Sequence, residues 1–377
     1  MKPVKIYGAF LGGSMIILIV GIGFPFATMK QLGALGLVAT ILYTPVLFLK
    51  PMIQAKVIRN TKRYAIWLFV FVLFFFASGE LALRLWFWNG ASFSNHGGPI
   101  VKRFERHFEF NHYDGPSRGP EIVGNRRSNS ERVLVQGDSI TWGMGIQHEQ
   151  ELFTNVLLKM LRRDNPNTEM AVLAGLGREI DGHLTQIAKW GEEIDPDIII
   201  YQWYVNDVLL DPKDMPRFRR VWSHAFFHHK MMQHSYFWFF LNYNLDYVLP
   251  KENQHYWDYF SDHFASDTAE WKRFESVFRA WAREATRLTP KVLVILYPTI
   301  NSQGRPNPNL QTIYNRFTNL CEEQGLEVLD LWHSFGELQG DLGQIEAGIY
   351  DYHPSAEVHK RMAEGIYSKL KYVWSNQ

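Results

Sequence analysis

Ile6–Phe26 is an unbroken apolar run, long enough at helical rise to cross the hydrocarbon of a bilayer. Gly33–Leu49 is a second, shorter run that ends at Lys50-Pro51, and Tyr64–Leu83 is a third with a dense Trp/Phe/Leu/Val centre. A small water-soluble core has no room for three such segments so close together. They predict a membrane anchor over residues 1–88, with three transmembrane helices at about 6–26, 33–49 and 64–83. A cleavable signal peptide accounts for the first run only, and no small-residue cleavage site follows it.

Basic residues set the expected orientation. Lys2 and Lys5 precede the first run, and Lys56, Arg59, Lys62 and Arg63 crowd the loop before the third. Only Lys30 lies between the first and second. The positive-inside rule puts the N-terminus and that second loop in the cytoplasm, and three spans then place everything after Leu83 outside. The expectation is a multi-pass protein of the cytoplasmic (inner) membrane with a periplasmic or otherwise extracytoplasmic domain. Glu80 falls near the outer end of the third span. Gly8 and Gly12 have the spacing of a close helix–helix contact, which suggests a membrane-protein partner.

From Asn89 to Ser130 the composition turns to Gly, Pro, Ser, Asn and charge, punctuated by Gly97-Gly98-Pro99, Gly115-Pro116 and Gly119-Pro120. Residues 89–130 therefore predict an extended linker. Beyond it, residues 131–377 alternate strand and helix patterns. Val133–Gln136, Val172–Ala174, Ile198–Trp203, Val292–Tyr297 and Val328–Leu331 are the expected strands. Such alternation predicts an α/β fold, a parallel sheet covered by helices on both faces, with ligands at the carboxyl ends of the strands. An aromatic-rich insertion at about 209–265 includes Phe226-Phe227-His228-His229 and Ser235-Tyr236-Phe237-Trp238-Phe239-Phe240. It is a lid or substrate wall, a plainly packed helical subdomain, or a segment resting on the membrane surface.

The chemistry concentrates in a few residues. Gly137-Asp138-Ser139-Ile140-Thr141-Trp142-Gly143 directly follows the apolar run Arg132–Gln136 and precedes a helical pattern at Glu151–Arg163. A serine at such a turn can be an ordinary helix cap or an exposed nucleophile. A nucleophilic serine needs a base, and His353 in Asp351-Tyr352-His353-Pro354-Ser355 is the candidate. Asp351 would hold its other ring nitrogen. His359, in the following helix, reads as a surface residue. His224 and His228-His229, four apart on a helix, could hold a metal but read as packing or surface residues; no His-Glu-x-x-His spacing occurs and Cys321 is the only cysteine, so no metal or other cofactor is expected. The net charge of +1 gives no reason to expect nucleic acid as a partner.

The order of these motifs resembles the SGNH/GDSL hydrolase family. Gly137-Asp138-Ser139 matches its first block, Ala174-Gly175-Leu176-Gly177-Arg178 its second, Tyr204-Val205-Asn206-Asp207 its third, and Asp351–Ser355 its last. The resemblance covers roughly Arg132 to Val373. It implies a three-layer α/β/α domain and a serine esterase with Ser139, His353 and Asp351 as triad. It also implies an oxyanion hole from the N–H of Ser139, the N–H of Gly177 (or of Arg178) and the side-chain amide of Asn206. The family more often has the aspartate three residues before the histidine; Tyr350 stands there, and Asp351 lies two before. With the location, this points to a membrane-anchored enzyme cleaving acyl or acetyl esters, on cell-surface glycans or on lipids. An O-acyltransferase, a lipase or thioesterase, and a non-catalytic glycan- or lipid-binding module remain open.

Overall fold

The computed structural model describes residues 61–86, 111–113, 117–122, 124, 126–209, 231, 234–238, 241, 252–301, 303–348 and 351–374. The chain divides into two compact units. One comprises Met1–Ala91, His96–Lys102 and Arg219–Lys251; the other comprises Ser92–Asn95, Arg103–Phe218 and Glu252–Gln377.

In the first unit, the third apolar run forms one continuous helix, α1 (Thr61–Trp86). Phe69, Val70, Val72, Leu73, Phe74 and Leu81 are exposed along it. Among the described residues no helix is long and apolar enough to cross a membrane. The three expected transmembrane helices thus have no structural support, and the first two runs lie outside the described residues. Part of the aromatic insertion packs on α1. The Glu80 carboxylate accepts from Ser235 Oγ (2.8 Å), Tyr236 N (3.2 Å) and Phe237 N (2.9 Å). It thereby caps the helical turn that starts at Tyr236. The Phe237 ring sits edge-on to Phe75 and Phe76, 5.3 and 5.2 Å away. Arg84 donates to Glu80 Oε1 (2.7 Å) and to His234 O (2.9 Å).

The second unit is built on a five-stranded parallel sheet of order β2-β1-β3-β4-β5: β1 (Arg132–Gly137), β2 (Glu169–Ala174), β3 (Ile198–Trp203), β4 (Val292–Leu296) and β5 (Glu327–Asp330). β1 to β4 are the apolar runs of the sequence, and every residue of β1, β3 and β4 is buried. A strand buried on both faces loses its polar alternation, as expected of a parallel sheet. The register sets Gly137 beside Ala174 and Gln136 beside Tyr201, which brings the ends of β1, β2 and β3 together.

Strand side chains alternate between two packed layers. Leu134, Leu173, Ile199, Tyr201, Trp203 and Val294 face one core with the helices α4 (Ile180–Ile194), α6 (Ala269–Leu288) and α7 (Gln311–Glu323). Helices α3 (Phe153–Asp164) and α9 (Ala356–Trp374) pack together elsewhere on the domain, burying Phe153, Leu157, Val358, Met362 and Ile366. Helix α5 (Glu252–Phe264) also belongs to this unit and contributes Tyr259, Phe260 and Phe264 to the first core. This last part of the insertion therefore packs into the core of the domain.

The segment expected as linker is not extended throughout. Asn111 Nδ2 donates to Val172 O (2.9 Å), Ser117 Oγ to Ala174 O (2.5 Å), and Val172 N to Pro120 O (3.1 Å). Residues 111–113 and 117–122 thereby line the outer edge of β2, with Tyr113 and Ile122 buried. An open strand edge needs partners for its N–H and C=O groups, and this segment supplies them.

Candidate active site

The site starts from the turn after β1. The helix α2 (Ser139–Trp142) has a single turn, capped at its start by Asp138, whose carboxylate accepts from Ile140 N (2.9 Å). It ends at Gly143, in a left-handed conformation with φ +79°. Gly137 admits no side chain, since a Cβ there would overlap Thr141 Oγ1 and lie 2.6 Å from Gln202 Oε1. Those two groups are themselves hydrogen-bonded at 2.8 Å, which fixes α2 against β3.

The antiparallel pair β6 (Glu346–Gly348) and β7 (Asp351–Pro354), preceded by the short helix α8 (Leu342–Ile345), carries the last motif. It places His353 Nε2 2.8 Å from Ser139 Oγ, across 214 residues of sequence. Both residues are half-buried, so each can reach solvent and substrate. The geometry is that of a nucleophile with its base within hydrogen-bond reach. Asp351 begins the strand that carries His353; its side chain lies outside the described residues, as does Tyr350.

The expected oxyanion donors sit on the loops after β1, β2 and β3. Gly177 is exposed, in a left-handed conformation (φ +60°), on the loop after β2. Arg178 N donates to Gly175 O (3.3 Å) and so closes a turn. Asn206 lies in the 3-10 turn Val205–Val208 after β3, and its amide favours the charged form of Asp138. Asp138 is fully buried; burial raises its carboxyl above the ordinary range, and Ile140 N and the nearby His353 work against that rise.

Beneath these loops is a polar layer that the sequence does not announce. Tyr201 Oη donates to Asp207 Oδ2 (2.8 Å), and Tyr204 N donates to the same oxygen (3.1 Å). Trp281 Nε1 donates to Gln136 Oε1 (2.9 Å), whose amide donates to His183 O (3.0 Å). Burial, reinforced by the charge of Asp138, pushes Asp207 well above the usual carboxylate range. Gln136, Tyr201, His183 and Trp281 sit inside apolar strand or helix patterns, so only the nonapolar identity of an inward position could have marked them, whereas Tyr204 and Asp207 belong to the third motif block.

His359 is not the surface residue the sequence suggests. It is fully buried, its Nδ1 accepts from Phe153 N (3.1 Å), and its ring stacks on Phe153. Its spacing to Met362, Ala363 and Ile366 on α9 was the available signal. Burial lowers its pKa to about 3, helped by the charge of Arg118. His224, His228 and His229 lie outside the described residues, and among the described residues no group of His, Cys, Asp and Glu is placed to hold a metal ion.

No curated protein matches this chain. Several solved structures share part of its fold at low similarity. The psychrotrophic esterase EstA from a Pseudoalteromonas species is 12% identical, over 66% of this chain and 100% of that one, with a TM-score of 0.40. A lipase/acylhydrolase from Enterococcus faecalis is 14% identical, over 64% and 96%, with a TM-score of 0.41. The acetyl xylan esterase AlAXEase is 14% identical, over 63% and 99%, with a TM-score of 0.40. The model of the GDSL-like lipase/acylhydrolase family matches residues 135–361. That match covers more than half of the chain and includes every motif that meets at the carboxyl edge of the sheet: the protein belongs to the GDSL-like lipase/acylhydrolase family, and it is a hydrolase of ester bonds.

Proposed function

We propose that the protein is a membrane-anchored serine esterase whose catalytic domain lies outside the cytoplasm and removes acyl or acetyl groups from cell-surface glycans. The contact between His353 Nε2 and Ser139 Oγ at 2.8 Å carries this reading. His353 takes the serine proton as Oγ attacks the ester carbonyl, and the resulting oxyanion is met by the N–H groups of Ser139 and Gly177 and by the Asn206 amide. Collapse expels the alcohol, protonated by His353, and leaves an acyl-serine. His353 then activates water to release the acid. Asp351 orients His353 and stabilises its cationic form.

Membrane attachment rests on the apolar runs 6–26 and 33–49 and on the exposed apolar side chains of α1. Glycans are favoured over lipids as substrate because a segment rich in Gly, Pro, Ser, Asn and charge separates the apolar runs from the catalytic domain in the sequence. The test is a fluorophosphonate label on the full chain, mapped to a residue, followed by release assays on O-acetylated glycan and on phospholipid. Label on Ser139 with acetate release from glycan is the expected result. Label elsewhere removes Ser139 from the mechanism, and turnover of phospholipid alone makes the enzyme a lipase. Transfer of the acyl group to an added sugar in preference to water makes it an acyltransferase.

A further inference from the structure

The nucleophile turn is too short to hold its own shape. One turn of helix closes few hydrogen bonds for the dihedrals it fixes, so α2 needs outside partners. Its N-terminal side has Asp138, and its C-terminal side ends in the loop Trp142–Ile146. Gly143 N and Met144 N donate to Ser139 O, and Ile146 N donates to Gly143 O (3.0 Å), so the loop carries three neighbouring carbonyls, those of Trp142, Gly143 and Ile146.

Those three carbonyls converge on one buried cation. Arg118 is fully buried, and its Nη1 approaches Gly143 O at 2.9 Å, Ile146 O at 3.1 Å and Trp142 O at 3.5 Å. Its guanidinium lies over the Trp142 ring, 5.0 Å from the centroid. A cation at the C-terminal end of a helical turn also meets the negative end of the peptide dipoles. Glycine at 143 is required by its positive φ and by Leu152, which a Cβ would overlap; towards Nη1 a Cβ would stand at an ordinary contact distance of 3.6 Å.

The residue before Arg118 grips the second loop of the site. Ser117 Oγ donates to Ala174 O (2.5 Å) and accepts from Ala174 N (3.0 Å), at the last residue of β2 before the Gly177 loop. Two adjacent residues thus hold the starting points of two expected oxyanion donors, Ser139 N and Gly177 N. Both residues precede the segment 135–361 matched by the family. Burying a guanidinium costs several kcal/mol, and here burial lowers its pKa to about 10. A Leu or Met would fill the same space without that cost, so packing alone does not explain an arginine.

We infer that Arg118 is a positioning residue of the esterase. It clamps the Trp142–Ile146 loop so that Ser139 Oγ and N–H hold their attack geometry, while Ser117 does the same for the Gly177 loop. The inference rests on Ser139 being the nucleophile. A displacement on the order of 1 Å at a reacting group lowers a rate about 100-fold, so loss of the clamp should cost turnover and spare binding.

The experiment uses the full chain with Arg118→Met and Arg118→Lys. Active sites are titrated with a fluorophosphonate, and kcat per titrated site, KM for nitrophenyl acetate, the phosphonylation rate and the unfolding midpoint are measured. Arg118→Met should lower kcat per site and phosphonylation about 10- to 100-fold with KM within about twofold. Arg118→Lys, which keeps the charge but not the planar fork, should fall between. A residue that only stabilises the fold would lower the midpoint and leave kcat per site unchanged; that result overturns the inference. If Arg118→Met does not fold, Arg118→Lys decides by the same measure: reduced kcat per site in a folded protein supports the clamp, and wild-type kcat per site overturns it. Failure of the underlying reading shows separately, as wild-type protein labelled at a residue other than Ser139.

Discussion

Ser139 and His353 make the sharpest claim at the scale of single residues, because one hydrogen bond joins them. Ser139→Ala should cut hydrolysis of nitrophenyl acetate by several orders of magnitude in a protein with unchanged circular dichroism, and His353→Ala should cost about as much, since members of a triad act as a unit. Asp351→Asn should lose less, yet still heavily. Near-wild-type turnover by folded Ser139→Ala would exclude the serine mechanism. His359 makes the contrasting case. Removing its ring orphans the Phe153 N–H, at a cost of about 1–3 kcal/mol in stability. kcat of folded His359→Ala should stay within a few-fold of wild type; inactivation would mean that the wrong histidine has been assigned. The pH dependence has a definite sign. His359 is held neutral by burial, with its pKa at about 3. As pH falls, the unfolded chain therefore takes this proton first. The stability it contributes is full above about pH 6.5 and is lost as pH falls toward 3. Denaturant unfolding at pH 7 and pH 5 should show a smaller difference for His359→Asn than for wild type.

At the scale of elements, two short structures depend on groups far away in sequence. The turn α2 is pinned between Asp138, Gln202 and Arg118. Gly137→Ala should disrupt it, because the new methyl overlaps Thr141 Oγ1. Loss of phosphonylation together with a lowered unfolding midpoint is the expected pair of readings. In the other unit, the turn at Tyr236 is held to α1 by Glu80. Glu80→Ala should speed hydrogen exchange at the Tyr236 and Phe237 amides in the full chain, and unchanged exchange would show that the aromatic contacts with Phe75 and Phe76 suffice.

For the whole molecule, the proposed membrane attachment predicts an orientation. The asymmetry of Lys and Arg over short loops sets that orientation more reliably than net charge does. A reporter active only outside the cytoplasm should be on when fused after Gln377 and off when fused after Thr61; a cytoplasmic reporter should show the reverse. The opposite pattern would put Ser139 before cytoplasmic thioesters and phospholipids, and an intracellular lipase or thioesterase would then be the better reading.

The sheet and the motifs were legible because their signals are local. β1, β3 and β4 announce themselves as apolar runs, since a strand covered on both faces must be apolar at every position, and the chain order of the motifs places Ser139, Gly177 and Asn206 at strand ends. What tertiary structure decided is which distant groups meet. No spacing rule brings Arg118 under the carbonyls after Trp142, or Ser117 against Ala174, from a stretch whose glycines and prolines read as a connection. His359 likewise looked solvated until α9 packed against α3. A polar side chain carries no local mark of burial. Whether it ends in water or in the core depends on the partners the rest of the chain delivers, and that is settled only when the layers close.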